Sequence, residues 1–62
     1  MKYKIVSGIN GRNFREETTE AISTRQATQI LAPELNGMFR FNQGIASVMI
    51  GSIYHSVFPM EM

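Results

Sequence analysis

Residues 42–51 of the chain, NQGIASVMIG, decide which fold the sequence predicts. Within this stretch Ile45, Val48 and Met49 follow the i, i+3, i+4 spacing of the apolar face of a helix. Asn42 is a favourable N-cap residue, and the glycine at the far end is well placed to stop a helix. The stretch therefore predicts a short helix that begins at Asn42 and packs through this apolar stripe.

A first helix is predicted upstream of this stretch. Ser23 and Gln26 have the spacing of a capping box, in which the serine hydroxyl accepts the glutamine N–H and the glutamine side chain reaches back to the serine N–H. Ala27, Ile30 and Leu31 then form another i, i+3, i+4 stripe. The proline that follows restrains the residue before it away from helical dihedrals, so we expect the helix to stop or bend there.

The N-terminal residues predict a β-hairpin. Asn10-Gly11 is the strongest short hairpin signal, because a type I′ turn needs positive φ at both central residues. With this turn, strands over residues 2–7 and 12–18 place Lys4 opposite Glu17, a favourable cross-strand charge pair. A bulge at the glycine two residues before the turn would slip this register by one residue. The hairpin then has one apolar face, formed by Tyr3, Ile5 and Phe14.

Together these elements predict an α+β fold: an N-terminal β-hairpin packed on two short helices in a helix-turn-helix-like arrangement, with an extended or helical C-terminal tail. The 62 residues allow one small domain, residues 1–62. A content of 44% apolar and 18% charged residues is typical of a globular chain. No apolar run approaches the roughly 20 residues of a membrane span, and no signal-peptide core follows Met1, so we expect a cytoplasmic domain without membrane contact.

The sequence carries no pattern typical of an enzyme. There is no cysteine, and the one histidine, His55, does not make a zinc site by itself. No nucleophile or carboxylate motif accompanies it, and the three glutamates between residues 16 and 20 are interpreted as solvated charge. We therefore expect no catalytic residue, no bound metal and no cofactor.

The predicted second helix suggests a DNA-binding role instead. In a helix-turn-helix the second helix lies in the major groove, and its N-terminal residues contact base edges. The candidate base contacts are Asn42, Gln43 and Ser47, since amide side chains pair bidentately with adenine. The candidate phosphate contacts are Arg25, Arg40 and His55. With a net charge of only +1 a single copy would bind weakly, so we expect a homodimer on duplex DNA.

A family resemblance points the same way. The stretches STRQATQIL and GIASVMIGSIYHSV resemble helix-turn-helix modules of phage homing endonucleases and related small phage DNA-binding proteins. The positions that carry the resemblance are Ser23, Ala27, Ile45, Val48, Gly51, Tyr54 and His55. It implies a phage-encoded, non-enzymatic regulatory protein that reads duplex DNA.

The charge distribution supports a second interpretation. Between Leu35 and Met60 the only fully charged residue is Arg40. This segment also carries methionine and aromatic side chains, and charged residues are depleted in the cores of protein–protein interfaces. As an alternative, residues 38–60 therefore predict the interface of a small inhibitor or accessory protein that binds a host protein.

Overall fold

The computed structural model describes residues 1–60, which form a five-stranded antiparallel sheet with one α-helix on one face. The strands lie in the order β2-β1-β5-β4-β3. Along the chain the elements are β1 (Lys2–Ile9), β2 (Arg12–Glu20), α1 (Thr24–Leu31), a 3₁₀ turn (Pro33–Leu35), β3 (Arg40–Asn42), β4 (Ile45–Ile50) and β5 (Ile53–Pro59). No helix in this range is long and apolar enough to cross a lipid bilayer.

Three two-residue turns connect neighbouring strands directly. Asn10 and Gly11 have φ of 51° and 80°, and Gln43 and Gly44 have φ of 52° and 80°, as a type I′ turn requires. Gly51, with φ of 62°, begins the third turn, where a type II′ turn needs glycine at its first central position. The hairpin predicted at Asn10-Gly11 is confirmed, and two further hairpins follow it in the second half of the chain.

The helix predicted over residues 42–51 is wrong, and the helix-turn-helix arrangement is wrong with it. These residues form a turn and the strand β4, which pairs with β3 on one side and β5 on the other. The positive φ angles at both ends of β4 do not occur in a right-handed helix. Ile45 and Met49 project from one face of the sheet and Val48 from the other, so the predicted apolar stripe does not exist. The chain is a mostly-β domain rather than a hairpin on two helices.

The C-terminal segment is extended and forms the centre of the sheet. β5 lies between β1 and β4, and its pairing with β1 runs from Tyr3 opposite Pro59 to Ile9 opposite Ile53. This pairing joins the N-terminal hairpin to the three C-terminal strands in one sheet. The sequence left the secondary structure of residues 52–62 open between helix and extended chain. Of these, residues 61 and 62 lie outside the part of the chain that the structure describes.

The core lies between α1 and one face of the sheet. Ile5 in β1 and Val57 in β5 are fully buried and oppose each other. The other buried apolar residues gather around this pair: Tyr3, Ala21, Ala27, Leu31, Ala32, Leu35, Phe39 and Ala46. Removing this cluster from water is the main force that holds the helix on the sheet.

α1 begins where predicted but turns a different face to the core. The Ser23 hydroxyl accepts the Gln26 N–H at 3.1 Å, which confirms the N-cap. The Gln26 side chain accepts the N–H of Ile22 at 2.8 Å, one residue before the predicted partner. Ile30 is exposed, contrary to prediction. The buried residues of the helix are Thr24, Ala27, Thr28 and Leu31.

A bulge shifts the pairing of β1 with β2. The register changes just before Gly8, so Lys4 lies opposite Thr18 and not opposite Glu17 as predicted, and its ammonium group forms a diagonal ion pair with Glu16 at 3.0 Å. Phe14, which the simple register placed in the core, lies at the bulge and is exposed. The extra residue in β2 is the reason that the simple register is wrong, and it confirms the alternative of a bulge at Gly8 that slips the register by one residue.

The same substitution at two glutamines tests this fold. We expect Gln43→Asn to raise the free energy of unfolding by on the order of 0.5 kcal/mol, because asparagine tolerates the left-handed conformation of a type I′ turn better than glutamine does. Gln29→Asn, on the exposed side of α1, should lower it by a few tenths of a kcal/mol, since asparagine is the poorer helix former. Urea denaturation measures both. A loss of stability in both variants would contradict the turn at Gln43-Gly44.

Candidate binding groove

The sheet face opposite α1 carries no covering layer within residues 1–60. Directly opposed residues of an antiparallel sheet project from the same face, and neighbours along a strand project from opposite faces. The buried pair Ile5 and Val57 points to α1. Val6 and Ser56, which follow and precede this pair, therefore point away from the helix. We call this second side of the sheet the open face.

A row of polar side chains crosses the open face from β3 to β5. Arg40 lies opposite Ser47, and Ser47 lies opposite Ser56. Because neighbouring strands are about 4.8 Å apart, the guanidinium and the two hydroxyls occupy one patch. The short serine side chains leave a groove of about 630 Å³ above them, with Met49 and Tyr54 among the residues that line it.

Tyr54 has a fixed position because Gly8 has no side chain. The tyrosine lies opposite Gly8 on the open face, and its hydroxyl donates a hydrogen bond to the Asn13 side chain on the next strand. A Cβ atom on Gly8 would lie 2.5 Å from the tyrosine oxygen, which is closer than real contacts allow. The glycine thus lets the ring lie across β1, where it forms one end of the groove.

Arg40 is a cation without an ionic partner among the residues described. The acidic side chains of the hairpin are occupied by other cations, since Lys4 pairs with Glu16 and the N-terminal amine with Glu20. Arg15 pairs with two glutamates and also donates to the carbonyl of Leu31 at the end of α1. Arg15 is therefore a structural residue, whereas Arg40 is available to a ligand.

The predicted DNA contacts do not form a single recognition surface. Arg40 and Ser47 do come together in the groove, but on adjacent strands rather than on a helix. Asn42 and Gln43 are exposed at the turn between β3 and β4. Arg25 lies on α1, with its guanidinium carbon 4.5 Å from the centre of the Phe41 ring. His55 also lines the groove, although its side chain points to the helix side of the sheet.

His55 forms a close pair with a serine, but the pair lacks the features of a hydrolytic site. Its Nδ1 lies 2.6 Å from the hydroxyl oxygen of Ser7. That serine is 0% exposed, so a substrate has no access to the oxygen. A nucleophile needs both access and a base oriented by a third group, and no carboxylate is hydrogen-bonded to this histidine in the described chain. The pair satisfies a buried hydroxyl.

Neither metal-ligating side chains nor comparison with known proteins indicates what the groove binds. In the part of the chain that the structure covers, no three histidine, cysteine or acidic side chains are close enough together to hold a metal ion. Comparison with protein-family models, with curated proteins and with solved structures found no match. The groove has to be interpreted from its own residues.

Sequence reasoning missed Tyr54 and Ser56 as groove residues. The signal was present in residues 53–58, IYHSVF, which are rich in the β-branched and aromatic residues that favour strands. Gly51-Ser52, just before this segment, is also a recognised hairpin dipeptide. The two features together would have predicted β5.

The close packing of the Tyr54 ring against Gly8 can be tested by substitution. We expect Gly8→Ala to lower the free energy of unfolding by about 1–3 kcal/mol, because the added methyl group displaces the Tyr54 ring and presses on the carbonyl of Arg12. A double-mutant cycle with Tyr54→Ala, followed by urea denaturation, isolates the contribution of the ring. If the two substitutions act additively, the tyrosine does not lie over Gly8.

Proposed function

We propose that this chain is a small non-enzymatic protein that binds another protein through the open face of β3, β4 and β5. The observation that supports this is the exposure of large apolar side chains where charge is sparse. Met49 is 67% exposed and Ile45 is 45% exposed, both on the open face of β4. Met38, at the edge of the groove, is 48% exposed. Exposed apolar groups that form a contiguous patch mark interaction sites more often than scattered ones do.

The architecture explains why this surface is left exposed. α1 has eight residues and lies on only one side of a five-stranded sheet. Within residues 1–60 no second layer covers the other side. On β1 and β2 the open face carries the Lys4–Glu16 ion pair, which suits contact with water. On β3 to β5 the same face carries apolar groups and one arginine, which suits contact with a protein.

A protein partner fits this surface better than a duplex does. Within residues 1–60 the open face carries no helix that could enter the major groove, and each phosphate contact requires a cation. From β3 to β5, Arg40 is the only such cation. The reason for expecting a homodimer, one reading helix for each half-site, does not apply to this fold. The partner we propose is therefore a different protein.

Matched substitutions test the proposal in an extract of the cells in which the chain is naturally made. We expect Met49→Glu to lower the amount of the specifically captured partner by about tenfold or more, because it buries a charge at the centre of the interface. Ile22→Glu, at a residue 87% exposed near the start of α1 and away from the open face, should leave capture unchanged. Quantitative mass spectrometry of the captured proteins is the measurement.

Folding has to be compared at the same time. Both positions are exposed, so both variants should keep a free energy of unfolding within about 0.5 kcal/mol of the parent chain. If Met49→Glu is stably folded and captures every protein that the parent chain captures, then the open face is not the binding surface.

A further inference from the structure

We propose that the groove is a carboxylate-binding site that takes an aspartate or glutamate side chain from an extended segment of the partner. This inference rests on the proposed function and specifies the chemistry of the partner. It is supported by three features: the unpaired Arg40, the serine pair beside it, and the uncovered edge of β4.

Arg40 supplies the charge. A guanidinium group holds a carboxylate through two parallel hydrogen bonds, an arrangement with more geometric specificity than a lysine provides. Arg40 is exposed and makes no ion pair or side-chain hydrogen bond with any residue from 1 to 60. It is also the only full charge between residues 35 and 60. A single cation on an otherwise uncharged surface selects for a single anionic group.

Ser47 and Ser56 supply further donors. The turn Gly51-Ser52 makes Ile50 opposite Ile53 a hydrogen-bonded pair, and alternation along the ladder then makes Ser47 opposite Ser56 a non-hydrogen-bonded pair. In such pairs the side chains are closest together. Neither hydroxyl has a hydrogen-bond partner among the described residues. A carboxylate accepts about four hydrogen bonds, which two from the guanidinium and one from each serine would satisfy.

Met49 and Tyr54 line the groove beside the polar row. The tyrosine ring is held by its hydrogen bond to Asn13 and by its passage over Gly8, so little side-chain entropy is lost on binding. Methionine adapts its shape to whatever packs against it. These two side chains can contact the aliphatic part of an acidic side chain and shield the charge pair from water, which strengthens the pair.

The edge of β4 favours an extended ligand. β3 pairs with β4 only from Ile45 to Ser47, so among residues 1–60 no strand pairs with β4 on that side from Val48 to Ile50. Met49 opposite Tyr54 is a non-hydrogen-bonded pair of β4 and β5, so the N–H and C=O of Met49 point away from β5 and outward from this edge. An extended segment can take both hydrogen bonds as an added strand, as in β-augmentation. That position is beside the groove and brings an acidic side chain to Arg40.

A nucleic acid strand fits the same groove poorly. Binding through one phosphate contact releases about one counterion, so the affinity is weak and depends little on the salt concentration. A longer strand would also extend across the open face to the Lys4–Glu16 ion pair, which has no net charge with which to hold a phosphate. A protein segment needs only one anionic group, and its remaining contacts can be apolar or made by its backbone.

The test uses the full chain and a displayed library of random short peptides. We expect the selected peptides to share one aspartate or glutamate, and we expect Arg40→Gln to weaken their binding by about tenfold. Arg12→Gln is the matched control, because Arg12 is exposed on the hairpin and also makes no ion pair within residues 1–60. Changing the shared acid to its amide should weaken binding as much as Arg40→Gln, and the two changes together should cost no more than either alone.

Each other outcome overturns the inference, and the outcomes differ in what they leave standing. Peptides that lose binding with Met49→Glu but show no acidic preference refute the carboxylate site and leave the proposed function intact. If no peptide depends on Met49, both fail. If a single-stranded oligonucleotide binds more tightly than the selected peptides, and does so through Arg40, then the groove is a phosphate site and a protein carboxylate is not its ligand.

Discussion

The positive φ angles at Gln43, Gly44 and Gly51 are the constraint on which the rest of the structure depends. They reverse the chain twice within a few residues and so fold residues 40–59 into three antiparallel strands. The last of these strands then pairs with β1 and joins the N-terminal hairpin to the same sheet. If residues 43 and 44 had helical dihedrals instead, β4 would not form, β5 would not reach β1, and the Ile5–Val57 pair at the centre of the core would not exist.

The binding surface follows from the same two turns. They set the register in which Arg40, Ser47 and Ser56 form one row, and they fix which face of the sheet that row occupies. α1 covers the opposite face because the buried apolar residues of β1, β4 and β5 lie there. The chemistry of the groove is therefore a consequence of strand register, and no single element of the chain contains it.

The sequence predicted the local features of the fold better than its overall arrangement. The turn at Asn10-Gly11 and the Ser23 cap depend on a few adjacent residues, and both are confirmed. The segment from Asn42 was wrong because Ile45, Val48 and Met49 match helix spacing by chance, whereas the glycines on both sides were better read as turn residues. The sequence left two registers open around Gly8, and the one with the bulge is confirmed; the Tyr54 ring that packs across Gly8 is far away in sequence and could not be used to choose between them.

The same limit applies to the groove. Arg40 and Ser47 were selected as candidate ligand contacts for their side-chain chemistry, but for a helix that does not form. Their neighbour Ser56 was missed because only the pairing of β4 with β5 brings it beside them. The charge-poor segment 38–60, by contrast, needs no three-dimensional information to recognise. It forms β3, β4 and β5. The last of these lies at the centre of the sheet, where few charged side chains can be accommodated.

Cross-strand proton contacts in a nuclear magnetic resonance spectrum test the central claim most directly. Ser47 and Ser56 form a non-hydrogen-bonded pair, in which the two Hα atoms approach closely. A strong nuclear Overhauser effect between these Hα atoms is the predicted result, and it would establish the register of β4 and β5 on which the groove depends. A continuous series of amide-to-amide effects from residue 43 to residue 51, as a helix gives, would contradict both the fold and the groove.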